Sequence, residues 1–125
     1  MHYIALVLVS IVAIEHVYIL WLEMFAWTTA GRKAFKGALS PDLFEPTKVL
    51  AANQGLYNGF LAAGLIWSLT ISDPIWSRNV SLFFLSCVIV AGLYGAVTAS
   101  RKIFFVQALP AIIAAALVLL SGFLN

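Results

Sequence analysis

Four apolar stretches dominate this sequence of 125 residues, and each is long enough to cross a lipid bilayer as a helix. A hydrocarbon core about 30 Å thick is crossed by about 20 predominantly apolar residues. The stretches occupy residues 3–27, 48–71, 80–99 and 103–124. Because consecutive spans alternate in direction, the sequence predicts an all-α, antiparallel bundle of four transmembrane helices, with residues 1–125 forming a single domain.

The composition excludes the other common classes of protein. Hydrophobic residues make up 63% of the chain and charged residues only 10%, whereas soluble domains contain about 25% charged residues. A water-soluble globule of this size has too much surface for its volume to hide so many apolar side chains. The formal net charge of +2 also argues against a nucleic-acid-binding protein. Membrane lipids are therefore the expected surroundings.

Basic residues are distributed unevenly among the three connections between the spans. The first connection, residues 28–47, is rich in Lys and Arg and is followed directly by Lys48, and the third contains Arg101 and Lys102. The second connection holds only Arg78. Because cytoplasmic loops retain Lys and Arg, this asymmetry predicts that the first and third connections lie in the cytoplasm and both termini outside it.

Small residues recur at a spacing of four in the second, third and fourth spans. Such pairs let helix backbones approach closely where no hydrophobic force drives helices together. They predict a compact bundle, and they are also compatible with a homo-oligomer. The pairs are Gly55 with Gly59 and then Ala63, Ala91 with Gly95, Gly92 with Ala96, and Ala111 with Ala115.

Proline predicts two local features. In the first connection, Ser40, Pro41 and Asp42 resemble the start of a helix, which predicts a short interfacial helix around Leu43 and Phe44. In the fourth span, Pro110 is expected to kink the helix and to leave a carbonyl group without its usual donor.

Polar side chains interrupt the first two spans at membrane depth, where an ionisable group costs about 2.5–3.5 kcal/mol on insertion scales. In the first span, His16 and Glu23 share a face because seven residues make almost two helical turns. Glu15 lies about 100° around the helix from His16. The second span contributes four further polar residues, Asn53, Gln54, Tyr57 and Asn58.

Depths counted from the cytoplasmic ends of the spans place these groups in matching layers. Glu23 lies about 6 Å deep and Asn53 and Gln54 about 8–9 Å deep, whereas His16 and Asn58 lie about 15–16 Å deep. Residues on the third and fourth spans fall about 7 Å from the same side. All four helices are therefore expected to build one polar layer from Glu15, His16, Glu23, Asn53, Gln54, Tyr57, Asn58, Tyr94 and Gln107.

Several functions are compatible with this polar layer. Hydrogen bonds between helices could simply fix helix register in an accessory or assembly subunit. Glu15, His16 and Glu23 could relay protons in a carrier or channel, because a carboxylate and an imidazole exchange protons near neutral pH. A membrane enzyme or a small-molecule binder would use Glu23 or His16 as acid or base and the amides to orient the ligand.

We expect small-molecule binding or transport from these alternatives, with the ligand, any cofactor and any catalytic residue left open. A transition-metal site is not expected, because the layer contains a single histidine and Cys87 has no second cysteine as partner.

The run EHVYILWLEMFAW in the first span, followed by AANQGLYNGFLAAGLIW in the second, resembles a bacterial family catalogued as domain of unknown function 1304. The resemblance extends over essentially the whole chain. It implies a small integral protein of the bacterial cytoplasmic membrane and no particular reaction. The epimerase label that the family sometimes carries has no sugar-nucleotide or cofactor fingerprint in this sequence to support it.

The number of spans, their orientation and the polar second helix are also distantly similar to the membrane-associated eicosanoid and glutathione metabolism proteins, which are four-helix trimers. In that family an Arg, an Asn and a Glu of the second helix help to hold glutathione. Gln54, Tyr57 and Asn58 occupy a similar stretch here, but the span contains no arginine and no carboxylate. The likeness implies an alternative function, a membrane enzyme acting on a lipid-soluble or thiol substrate.

Overall fold

The computed structural model describes residues 2–123 and is helical through most of them. The α-helices are α1 (His2–Phe25), α2 (Ala30–Ala34), α3 (Lys48–Thr70), α4 (Pro74–Thr98) and α5 (Leu109–Phe123), with a 3₁₀ turn at Pro41–Leu43 and a π-helical segment at Phe104–Ala108. Between residues 2 and 123 no β-strand forms, and Lys36 and Leu39 form an isolated β-bridge. The predicted all-α fold is confirmed. Residue 124, the last of the predicted fourth span, lies outside the described residues.

Among the described residues, three helical segments are long and apolar enough to cross a membrane: α1, α4 and the segment Phe104–Gly122. Helix α3 has a similar length, 23 residues, but its amide side chains make it less apolar than the other three. The first, third and fourth predicted spans therefore have the length and composition required, and the second, residues 48–71, stays a prediction.

Helix α4 begins at Pro74, before the predicted third span, which starts at residue 80. The Asp73 carboxylate accepts hydrogen bonds from the backbone N–H groups of Ile75 and Trp76, each at 2.9 Å. Pro74 occupies the first helical position, where its missing N–H is not needed. The Asp-Pro pair is thus a local signal for the start of a helix. The predicted span boundary missed it because that boundary was based on hydropathy alone.

The predicted disturbance at Pro110 takes the form of a π-helical segment. The N–H of Leu109 donates to the carbonyl of Phe104, five residues earlier. Proline has no N–H to donate, and its ring clashes with the carbonyl four residues before it, which here belongs to Val106. The wider π turn at Phe104–Ala108 accommodates this mismatch directly before α5.

The chain divides into two compact units. We call Glu15–Phe60 the Glu23 unit, and the described part of Met1–Ile14 with Leu61–Asn125 the Arg78 unit. The Arg78 unit has an apolar core, and within it α4 packs against α5 and the π-helical segment. The core consists of Ala5, Val9, Val12, Ala13, Leu65, Leu85, Val88, Ala111, Ala114 and Val118. The prediction that residues 1–125 form one domain stays a prediction.

Close approach at small residues is confirmed inside each unit. In the Arg78 unit, a Cβ added to Gly92 would lie 2.7 Å from the backbone nitrogen of Ala108. In the Glu23 unit, a Cβ added to Gly55 would lie 2.8 Å from Cγ of Met24. The alanines at 63 and 91 are exposed, so the predicted pairs do not all lie in a packing seam.

Candidate functional site

The first span buries two of its ionisable side chains, His16 and Glu23, in the protein interior. His16 has no exposed surface and Glu23 is 3% exposed. The two residues are seven positions apart on α1, so their common burial confirms that they share a face. Glu15, on a different face of the same helix, is half-buried.

Glu23 and Asn58 form a buried pair between α1 and α3. The Asn58 Nδ2 group donates a hydrogen bond of 3.0 Å to Oε1 of Glu23. A Cβ on Gly55 would lie 2.9 Å from Cβ of Glu23, and one on Gly59 would overlap the side chain of Leu20. Gly55, whose added Cβ would also lie 3.2 Å from the backbone oxygen of Leu20, therefore allows the helix backbones to come close enough for the carboxylate and the amide to meet.

This pairing corrects the predicted depths. Glu23 was expected to lie level with Asn53 and Gln54, but it bonds to Asn58. Asn58 lies ten residues into α3, about 15 Å from its first residue, whereas Glu23 lies about 3 Å from the end of α1 at Phe25. Helix α3 therefore extends about 12 Å beyond the end of α1 at this side. The predicted depths missed this offset because they assumed that the two helices end at the same level.

The other polar residues of α3 lie on its exposed surface. Asn53 and Gln54 are exposed, and Tyr57 is 61% exposed. The Tyr57 ring packs edge-on against Phe60, with 5.9 Å between the ring centroids. Of the four polar residues predicted on this helix, the structure thus brings Asn58 alone to the buried carboxylate of Glu23.

The two remaining predicted residues belong to the Arg78 unit. Tyr94 on α4 is 72% exposed, and Gln107 is half-buried in the π-helical segment. Glu23 belongs to the other unit, so a polar layer shared by all four long helices stays a prediction.

The first connection folds against the end of α1 within the Glu23 unit. The Trp27 indole Nε1 donates a hydrogen bond of 3.0 Å to Oγ1 of Thr47. Phe44 is 2% exposed, and its ring centroid lies 4.9 Å from that of Trp27. The Arg32 guanidinium lies over the Phe44 ring, 5.7 Å from its centroid. The predicted interfacial helix around Leu43 and Phe44 is therefore a 3₁₀ turn at Pro41–Leu43 followed by a buried aromatic anchor.

A serine cluster in the Arg78 unit escaped the sequence reasoning. Ser68 is fully buried and donates to the Leu65 carbonyl at 2.6 Å. Ser81 donates to Oγ of Ser68 at 2.8 Å, and Ser77 donates to its carbonyl at 2.8 Å. The spacing of four from Ser77 to Ser81 places both hydroxyls on one face of α4, which is the signal that could have revealed the cluster.

The described residues offer no obvious site for a metal ion. Between residues 2 and 123, no three side chains of His, Cys, Asp or Glu lie close enough together to hold one. The pair that the structure does provide, a carboxylate and an amide, is suited to hydrogen bonding.

A protein family and an uncharacterized bacterial protein are similar to this chain. A family model described as a protein of unknown function, DUF1304, matches residues 10–119. The chain is 32% identical over 111 residues to the uncharacterized protein YpaA of Lactococcus lactis subsp. lactis (strain IL1403), covering 87% of this chain and 91% of that relative. No solved structure matches the chain significantly.

Proposed function

The chain belongs to the DUF1304 family, and we propose that it is a four-span membrane protein that binds or transports a small molecule at the buried Glu23–Asn58 pair. The observation that carries this proposal is the burial of the ionisable Glu23 carboxylate, which accepts a hydrogen bond of 3.0 Å from the Asn58 amide. A neutral side chain could join the helices at a far lower insertion cost.

The chemistry of the pair supports a ligand role. A carboxylate has acceptor sites on two oxygens, and a primary amide has two donors and an acceptor. The hydrogen bond between Glu23 and Asn58 uses one carboxylate oxygen and one amide donor. The capacity that is left can orient a small polar ligand or pass a proton, and His16 is buried on the same face of α1.

The surface of the long helices supports a position in the membrane. Large apolar side chains are exposed along their length, including Ile4 and Ile14 on α1, Phe83 and Val97 on α4, and Leu120 on α5. Water would penalise this much exposed apolar surface, whereas lipid does not. If α3 spans the membrane as well, the excess of Lys and Arg in the first and third connections predicts that both termini lie outside the cytoplasm.

A homo-oligomer is part of the proposal because α3 exposes polar groups. Asn53, Gln54 and Tyr57 lie at the surface of the chain, and hydrocarbon offers them no hydrogen-bonding partner. A second copy of the chain would supply donors and acceptors of the same kind. Under this proposal the double variant Asn53→Leu with Gln54→Leu shifts the purified protein toward monomers in native mass spectrometry.

The binding proposal is tested by native mass spectrometry of the full chain, extracted from cell membranes in a mild detergent. The wild type is expected to retain a reproducible extra mass, and Glu23→Gln is expected to lose it. The matched control is Glu45→Gln, which makes the same chemical change at an exposed position and is expected to retain the mass. A wild type without any extra mass other than phospholipid, or one whose non-lipid extra mass survives Glu23→Gln, would favour a role in helix register alone.

Proton transport is tested separately in vesicles that contain the purified protein and a pH-sensitive dye. A proton relay predicts a flux that both Glu23→Gln and His16→Gln abolish, while Glu45→Gln leaves it unchanged. Flux that persists in all three variants would exclude a relay through this pair.

A further inference from the structure

The Arg78 unit contains a cavity of about 250 Å³ where α1 and α4 begin and α5 ends. Apolar side chains, among them Leu6, Val9 and Val118, form part of its wall, and His2, Ser77 and Arg78 form a polar part. The cavity belongs to a different unit from the Glu23–Asn58 pair, and the function proposed for that pair makes no use of it.

Arg78 brings a positive charge to this cavity, and no carboxylate of the described residues forms an ion pair with it. The side chain is half-buried, and its guanidinium lies so close to Gly122 that a Cβ there would overlap Nη1. Among residues 2–123, its guanidinium forms no hydrogen bond or ion pair. Asp73, a carboxylate nearby in sequence, instead accepts hydrogen bonds from two backbone N–H groups of α4.

The serine hydroxyls around the cavity form no hydrogen bond with Arg78. Ser77 and Ser81 both donate to Ser68, and Ser121 donates to the carbonyl of Val118. The cavity wall thus combines apolar surface with a guanidinium whose planar set of donors matches the oxygens of a phosphate or carboxylate.

We propose that this cavity binds the phosphate group of an anionic phospholipid, with Arg78 as the principal contact and the first part of an acyl chain along Leu6, Val9 and Val118. A free anion would be attracted by Arg78 but would gain nothing from the apolar wall. An amphiphile uses both parts of the lining. The proposal rests on the membrane position of the chain but is independent of the Glu23–Asn58 pair.

The test uses the full-length protein in dodecyl maltoside micelles with dioleoyl phosphatidylglycerol as the probe. Native mass spectrometry at increasing lipid concentration gives the apparent dissociation constant of the first bound lipid. Dioleoylglycerol, which has the same chains and no phosphate, is the matched control lipid. We expect wild type to prefer phosphatidylglycerol by about tenfold or more, the ratio that one charge-assisted hydrogen bond provides.

Variants assign the binding to the cavity. Arg78→Gln is expected to abolish the preference for phosphatidylglycerol, and Arg101→Gln, at an exposed arginine, is expected to keep it. Glu23→Gln is also expected to keep it, which separates failure at the lipid site from failure of the proposed function. If Arg78→Gln does not fold, Gly122→Val displaces the guanidinium without removing the charge and is expected to weaken the preference.

Three results would overturn the proposal. The first is equal binding of the two lipids by the wild type. The second is an unchanged preference for phosphatidylglycerol in both Arg78→Gln and Gly122→Val. The third is displacement of bound phosphatidylglycerol by inorganic phosphate at an equal concentration, which would assign the site to a free anion.

Discussion

The two units of the chain bury different kinds of side chain. The Glu23 unit buries His16, Glu23 and Asn58, with few large apolar residues beside them. The Arg78 unit buries a continuous apolar core, and its buried polar residues are the neutral serines Ser68 and Ser81. Apolar burial and neutral hydroxyls are sufficient to hold helices together. The ionisable groups in the Glu23 unit therefore call for another explanation, and the proposed ligand binding would supply one.

The two units also differ in what faces their glycines. In the Arg78 unit, Gly92 faces the backbone of Ala108, which cannot move aside. In the Glu23 unit, Gly59 faces the end of the Leu20 side chain, which can change its rotamer. The same substitution is therefore expected to have opposite consequences in the two units.

The largest effect is expected for Gly92→Ala. Its Cβ would lie 2.7 Å from the backbone nitrogen of Ala108 and 2.9 Å from its Cβ. Forcing α4 away from the π-helical segment should lower the free energy of unfolding by about 3 kcal/mol. Thermal unfolding of the protein in detergent, followed by circular dichroism, measures this loss.

Gly59→Ala is the matched substitution for that experiment. Leu20 can yield, and alanine has a higher helix propensity than glycine by about 1 kcal/mol. The midpoint of unfolding should therefore stay unchanged or rise. A loss in Gly59→Ala as large as that in Gly92→Ala would show that both units are equally rigid and would remove the distinction between them.

The next effect is expected for Asn58→Leu, which removes the amide donor of Glu23. A buried acceptor left without its partner lowers the free energy of unfolding by about 2 kcal/mol. Asn79→Leu makes the same change at an exposed position of α4 and should alter stability by less than about 0.5 kcal/mol. Unfolding of both variants in detergent gives the comparison, and equal losses would contradict a special role for the buried amide.

Glu23→Gln sharpens the interpretation of this pair. The glutamine Oε1 can still accept the hydrogen bond from Asn58, so stability should change little while the retained ligand is lost. Loss of stability and ligand together would instead indicate that the carboxylate is needed for folding.

The sequence predicted the helical fold and the buried face of α1 because both depend on local patterns. Helical length and apolar composition identify the long helices, and the seven-residue spacing of His16 and Glu23 requires a common face. The partner of Glu23 depends on how far α3 extends past α1. That offset is set by the folded connection with its buried Phe44, and no pattern within either helix encodes it.

The outward direction of Asn53, Gln54 and Tyr57 could not be predicted for a related reason. Gln54 and Asn58 are four residues apart, and this spacing predicts that they share one polar face. The structure buries Asn58 at the contact with Glu23 and leaves Gln54 exposed. Which part of a broad polar face is covered is decided by the position of the neighbouring helix, as Gly55 illustrates.

A smaller effect is expected for Ser68→Ala in the Arg78 unit. The change removes the acceptor of the Ser81 hydroxyl and should lower the free energy of unfolding by about 1 kcal/mol. The double variant Ser68→Ala with Ser81→Ala removes both partners and should be less destabilised than the sum of the two single variants. Strict additivity in this double-mutant cycle would indicate that the two hydroxyls do not interact.

The smallest effect is expected for Thr47→Val, a change of similar shape that removes the acceptor of the Trp27 indole. Thr70→Val is the control. The hydroxyls of Thr47 and Thr70 both donate to a carbonyl of the preceding turn, at 2.7 Å and 2.8 Å respectively. Of the two, only the Thr47 hydroxyl also accepts the hydrogen bond from Trp27. The difference in stability between the two variants should be about 0.5 kcal/mol. Hydrogen exchange followed by mass spectrometry should show faster exchange in residues 26–47 of Thr47→Val and no change in α4. Faster exchange throughout α4 would contradict the division into two units, because a local loss in the Glu23 unit would then reach the apolar core of the Arg78 unit.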